Sequence, residues 1–121
     1  MATLVSTARY DAQINSLLGF DEQAELEFSI AAAPESHPVV AQTGGVRKAR
    51  WARQGMGKRG GIRVIYYWVV SAEIVVMLTA YPKNKKEDLS DAEKKVIRRA
   101  VEALKGDSTV AAGQRHRRRT A

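Results

Sequence analysis

Seven cations and no carboxylate fall between residues 46 and 70: Arg47, Lys48, Arg50, Arg53, Lys58, Arg59 and Arg63. Guanidinium groups clamp phosphate oxygens through a fixed fork of N–H donors. A lysine serves as acid or base where burial or cationic neighbours depress its pKa. RNA is cut without metal or histidine when its own 2′-OH attacks the adjacent phosphorus. The protein then supplies alignment, charge for the added negative oxygen, and proton transfer. Strand alternation would project Lys48, Arg50 and Arg63 from one sheet face, with Lys58 closing over them. Tyr81 and Lys83 arrive at the end of the next strand, so both join the candidate catalytic set. Arg47, Arg53, Lys58 and Arg59 are candidates for binding RNA. The competing reading is a set of ordinary cations on a solvated face. The chemistry requires Lys48, Arg50 and Arg63 to share one side of the molecule, without being buried in ion pairs with its own carboxylates.

Other chemistries fit less well. His37 and His116 are the only histidines; one precedes Pro38 in a loop and the other lies among arginines, which argues against an acid–base pair in one site. No His–carboxylate spacing matches a metal site, and no cofactor is indicated. The pair Glu87 and Asp88 reads as loop solvation and helix-start charge. Gly55, Gly57 and Gly60 match a dinucleotide-binding spacing, but a β-branched run follows where that fingerprint needs a helix. Gly57-Lys58 precedes Arg59 rather than Ser or Thr, which excludes a Walker lysine.

The chain of 121 residues carries a net charge of +7, unevenly spread: −5 over residues 1–45, +7 over 46–70, +2 over 71–105 and +3 over 106–121. Such segregation favours a polyanion over one face, with the acidic N-terminal part turned away from it and free to meet a partner. There are no cysteines, so disulfides are excluded and a reducing cytoplasm fits. The start lacks the pattern of a secretory signal. The longest apolar runs fall well short of the about 20 residues of a membrane span, so a soluble protein with no membrane partner is expected.

The elements that must position these residues can be read in order. Residues 2–6 suggest a short strand. Tyr10, Ile14, Leu17 and Leu18 make the stripe of a helix ended by Gly19. Asp21 reads as the N-cap of a second helix faced by Leu26, Ile30 and Ala33 and stopped by Pro34. In the next strand Ala49 and Trp51 face a core while Lys48 and Arg50 point the other way. Residues 54–61 form a glycine-rich hairpin loop. In residues 62–70, Ile62, Val64, Tyr66, Trp68 and Val70 share an apolar face, and Arg63 shares the other with Ile65, Tyr67 and Val69. Residues 74–81 return as a strand ended by Pro82. Ser90 and Glu93 form a capping box for a last helix, whose buried stripe is Val96, Ile97, Ala100, Val101 and Leu104. The expected class is α+β, in the order β-α-α-β-β-β-α: a small antiparallel-centred sheet with an N-terminal helical hairpin and a C-terminal helix. Residues 1–105 would be one domain, and 106–121, with the run Arg115–Arg119, a basic disordered tail.

Taken together, Gly44-Gly45-Val46-Arg47-Lys48-Ala49-Arg50-Trp51-Ala52, then Gly57-Lys58-Arg59-Gly60-Gly61-Ile62-Arg63-Val64-Ile65-Tyr66-Tyr67, resemble the RelE/ParE toxin superfamily, and more narrowly its RelE-like HigB branch. Ala80, Tyr81, Lys83, Asn84, Lys86, Glu87, Asp88 and Leu89 resemble that branch's end, and the likeness spans about residues 4–105. It implies the toxin of a type II toxin–antitoxin system, a ribosome-dependent endoribonuclease (mRNA interferase) that cuts mRNA in the ribosomal A site. It also implies a cognate helix-turn-helix antitoxin, with operator DNA met only through that partner. Within the resemblance Lys48 and Arg50 match the basic strand lining the site, Arg63 the arginine on the scissile phosphate, and Lys83 a second basic position; Lys58 and Tyr81 match more loosely. The tyrosine that stacks near the base in well-known RelE proteins has no counterpart in residues 87–91, which leaves the proton acceptor unassigned. The alternatives are a ParE-like gyrase inhibitor and a non-catalytic RNA- or partner-binding module.

Overall fold

Side-chain alternation along the central strand divides the sheet into two faces, and each face has its own cover. A computed structural model describes residues 1–106, except for the side chains of Lys58 and Arg59. The basic tail, including His116, lies outside the described residues. The elements are β1 (Thr3–Ser6), α1 (Ala8–Asn15), α2 (Phe20–Ala32), β2 (Arg47–Ala52), β3 (Gly61–Val69), β4 (Ile74–Pro82) and α3 (Asp91–Gly106). The strands lie in the order β1-β4-β3-β2; β1 runs parallel to β4 and the other pairs are antiparallel. The α+β class and element order expected from the sequence are those found.

On one face Ala49, Ile62, Val64, Tyr66, Val75 and Met77 pack against Tyr10, Ile14 and Leu18 and against Leu26 and Ile30, the apolar stripes of α1 and α2. On the other, Ile65 and Tyr81 pack with Val46, Leu89 and Val101, which brings α3 across part of the sheet. β1 pairs with β4 only as far as Met77. Beyond it Gln13 covers the open edge, its Oε1 accepting from Ala80 N (3.0 Å) and Thr79 Oγ1 (2.6 Å). Thr7 caps α1, accepting from Tyr10 N, while its hydroxyl donates to Met77 O; this fixes the helix to the sheet.

Three local expectations change. Asp21 is not a cap: α2 begins at Phe20 after Gly19, which offers no side-chain cap bond. Asp21 and Glu22 instead lie in the first turn, where their charge meets the free N–H groups. Val96 is 60% exposed, because α3 turns Ile97 and Val101 toward the sheet and leaves Val96 and Ala100 on a groove bounded by Leu78 and Leu89. Val70 leaves the apolar face for a 3-10 turn and is exposed. The capping box stands as read: Ser90 N donates to Glu93 Oε1 (2.8 Å) and Glu93 N to Ser90 Oγ (3.1 Å).

Two contacts outside the site yield stability tests. Gly44 has φ +83°, and a Cβ there would lie 3.1 Å from Val101 Cγ1. Gly44→Ala is expected to lower unfolding free energy by roughly 1–2 kcal/mol from the backbone alone, read by urea denaturation. The Tyr66 hydroxyl donates to the buried Pro34 carbonyl at 2.6 Å, so Tyr66→Phe is expected to cost about 1–3 kcal/mol at pH 8. Burial pushes the Tyr66 phenol from 10.0 up to about 12, with Arg47 lowering it and Glu35 raising it. Its folded pKa is thus above the unfolded one, so its contribution is complete below pH 10 and fades as the pH rises toward 12. The gap between Tyr66→Phe and wild type should narrow over that window.

Candidate active site

Strand register assembles the site. Arg50 on β2 lies directly opposite Arg63 on β3, and Arg63 opposite Tyr81 on β4. The next row on the same face is Lys48, Ile65 and Thr79. Past the end of β4, Lys83 N donates to Gly61 O at 2.9 Å, which sets Lys83 beside Arg63. All five candidate catalytic residues therefore share one sheet face, opposite the acidic hairpin. Arg50, Trp51, Ala52, Gly57, Gly61, Arg63 and Lys83 line an open cleft of about 340 Å³. Arg63 Nη1 and the stem of Lys83 stand at its wall beside Gly61, 3.7 and 3.5 Å from where a Cβ on that residue would lie.

The cations are not all unpaired. Arg63 is only 6% exposed, and its Nε and Nη2 both donate to Glu87 Oε2, at 3.1 and 2.8 Å. Lys48 Nζ donates to Asp88 Oδ1 at 2.5 Å. The requirement that Lys48 and Arg63 avoid internal carboxylates is thus not met as stated, since buried guanidinium and ammonium groups need partners. The carboxylate ends stay open, however: Glu87 and Asp88 side chains are 52% and 66% exposed. They belong to the short segment between β4 and α3, not to the core. Glu87 and Asp88, read from the sequence as loop solvation, are therefore part of the site. Only their position just ahead of the capping box, next to two strands of cations, could have signalled it. Arg50 is exposed and has no hydrogen-bond or ion-pair partner among the described residues.

Each charge shift has a visible cause. Its hydrogen bond from Arg63 holds Glu87 below the usual carboxylate range, against a smaller desolvation effect; the Arg63 and Lys48 charges add to the lowering and Asp88 opposes it. Asp88 is lowered chiefly by its hydrogen bond from Lys48 and then by that cation's charge. Burial pushes Tyr81 up from 10.0 to about 12, aided by Asp88 and Glu93, so its phenol keeps its proton at neutral pH. Tyr81 is largely enclosed, with Lys86 Nζ 4.8 Å from its ring centroid. Lys86 also pairs with Glu93, tying the segment to the first turn of α3.

The other basic candidates divide differently. Arg47 alternates to the hairpin side, where Nη1 donates to Glu35 O (3.1 Å) and His37 O (2.7 Å) and the guanidinium lies 6.0 Å from the Trp68 ring. Arg53 closes the loop before β3, its Nε donating to Gly60 O at 2.7 Å. Neither joins the cluster. The side chains of Lys58 and Arg59 lie outside the described residues, although both belong to the turn Gly57–Gly60 that borders the cleft. His37 packs edge-on against Tyr66, and burial followed by the Arg47 charge lowers its pKa, which favours neutral imidazole. Among the described residues no three His, Cys, Asp or Glu side chains are grouped to hold a metal ion. No described helix is long and apolar enough to cross a membrane.

This arrangement presents an anion in the cleft with Arg50, one edge of Arg63 and Lys83, leaving Lys48 and two carboxylates alongside. A family model for the RelE toxin of the RelE/RelB toxin–antitoxin system matches residues 22–112. That span takes in all but the first two residues of α2, the strands β2, β3 and β4 that carry the cationic face, and α3. By that match the chain belongs to the RelE toxin family and is the toxin component of a toxin–antitoxin pair.

Proposed function

We propose that this toxin is a ribosome-dependent endoribonuclease that cuts mRNA by attack of the RNA's own 2′-OH. The observation that carries this reading is the row Arg50–Arg63–Tyr81 set in register across three strands beside a cleft that also holds Lys83. Two guanidinium forks and an ammonium facing one cleft suit the extra negative charge of a pentacoordinate phosphorus. Fixed to a sheet, they need little reorganisation when that charge develops. Arg63 is the most constrained and sets the phosphate position. Arg50 and Lys83 are exposed and close on it from β2 and from the end of β4. Lys48 lies one row away, where a neighbouring phosphate of the strand would pass. Tyr81 packs against the segment that carries Glu87 and holds Arg63 from the other side, a positioning role.

The ribosome supplies the message in an extended single strand, which an open cleft on a flat sheet face needs. The antitoxin partner is taken to be a helix-turn-helix protein that also carries the contact with operator DNA. The acidic hairpin, on the far side of the sheet, leaves the cationic face free for RNA. The site of action is the cytoplasm, where ribosomes are.

Arg63→Ala is expected to abolish growth inhibition with the circular dichroism spectrum unchanged; a folded Arg63→Ala protein of full toxicity would refute the role. Arg50→Ala gives the cleaner magnitude because Arg50 has no hydrogen-bond or ion-pair partner among the described residues: cleavage should fall about 100- to 1,000-fold, as for loss of one transition-state donor, with a melting temperature no lower than wild type. Primer extension after induction reads both. Cuts placed by codon support the nuclease. DNA damage with intact transcripts would support a gyrase inhibitor instead, and protection of programmed ribosomes without cuts would support a binding module.

A further inference from the structure

The geometry points to Glu87 as the group that takes the proton from the attacking 2′-OH, an assignment that rests on the nuclease reading above. Arg63 has two working edges. Its Nε and Nη2 hold Glu87 through Oε2 alone; its Nη1 gives one N–H to Ile62 O at 3.4 Å and stands at the cleft wall beside Gly61 and Lys83, where its second N–H faces a ligand. A phosphate in the cleft and the Glu87 carboxylate would therefore occupy neighbouring edges of one planar cation. The 2′-oxygen, on the ribose carbon adjacent to the one whose 3′-oxygen bears that phosphate, falls between them. Glu87 Oε1 has no hydrogen-bond partner among the described residues, and the side chain is 52% exposed. It has both a free lone pair and room for a ribose.

The remaining groups at this face are poorer acceptors. The guanidinium groups of Arg50 and Arg63 are donors only, with no acceptor site to offer. Tyr81 is a neutral phenol, already shown to be pushed up by burial. Lys48 is engaged by Asp88, and that pair lies one strand row from Arg63, outside the residues that line the cleft. The charged and titratable groups facing Glu87 are Arg63 from β3, Lys48 from β2, Tyr81 from β4 and its own neighbour Asp88. In the free protein Arg63 and Lys48 keep Glu87 ionised. An arriving phosphate shares their charge and adds a negative neighbour, so the carboxylate becomes more basic when the substrate is in place.

The step balances without a metal or redox partner. The 2′-O–H bond breaks and its proton passes to Glu87 Oε1 as the 2′-oxygen bonds to phosphorus. The P–O5′ bond then breaks, and the leaving oxygen takes a proton from water. The hydroxide so formed takes the proton from Glu87, which restores the carboxylate. The products are a 2′,3′-cyclic phosphate end and a 5′-hydroxyl end.

Glu87→Gln tests this because the amide oxygen still accepts from Arg63 while losing the basic site. On ribosomes programmed with message, single-turnover cleavage by Glu87→Gln should fall about 100-fold or more. Its affinity for those ribosomes should be unchanged or tighter, one negative charge having left the phosphate site. Glu87→Asp should recover part of the rate. Cleavage by Glu87→Gln at the wild-type rate would overturn the assignment, and so would a loss of affinity matching the loss of rate, which would make Glu87 a holder of Arg63 only. A wild-type protein that does not cut would instead remove the nuclease reading itself, which separates the two failures.

Discussion

A guanidinium enclosed in the middle of a sheet must have a partner, and the arrangement around Arg63 follows from that need. The side chain leaves β3 on the face shared with Ile65 and Tyr81, both of which belong to the second core. It is too enclosed to be satisfied by water alone. Glu87 supplies the countercharge from the segment between β4 and α3. That single pair fixes the direction of the fork, and with it which N–H groups remain to meet a ligand. An Arg–carboxylate bond of this kind adds little to net stability when one end is open to solvent. Its consequence is orientation.

The rest of the fold keeps that face partly bare. The helical hairpin covers the opposite face completely enough to bury Tyr10, Ile14, Leu26 and Ile30. α3 covers only the portion of the site face near Val46, Ile65 and Val101. The end of β2, the start of β3 and the end of β4 border the cleft instead, and these three strand ends carry Arg50, Arg63 with Gly61, and Lys83. A rigid, half-covered sheet thus holds cations near one another beside the cleft. Mutual repulsion between Arg50 and Arg63, directly opposite in register, is a standing cost that Glu87 offsets on one side and a bound phosphate would offset on the other.

Much of this was legible in the chain. Period-two alternation in residues 62–70 assigned Ile62, Val64 and Tyr66 to one side and Arg63 and Ile65 to the other, because a pleated strand leaves no choice. Ser90 and Glu93 marked the start of α3 through a local exchange of backbone bonds. The placing of Lys48, Arg50 and Arg63 on one face followed from parity once the strands were recognised; that Tyr81 and Lys83 join them was decided by the register of β4, which shifts between Ile65 and Tyr66, and by the bond from Lys83 N to Gly61 O. Alternation also implied that Arg47 would leave that face, yet residue type alone grouped it with the other cations.

By itself, then, the sequence determined which residues share a face and where charge collects, since both follow from interactions between near neighbours along the chain. Only the tertiary structure decided who meets whom. Arg63 and Glu87 are 24 residues apart and Lys48 and Asp88 are 40 apart; no local rule links them. Arg47 turned to the carbonyls of Glu35 and His37, and Arg53 to that of Gly60, because those oxygens lay within reach and a half-buried cation takes the nearest acceptor. Val96 stayed outside for a similar reason: a helix laid across a twisted sheet buries the side chains that the crossing angle presents, and at that turn it presents Ile97 and Val101.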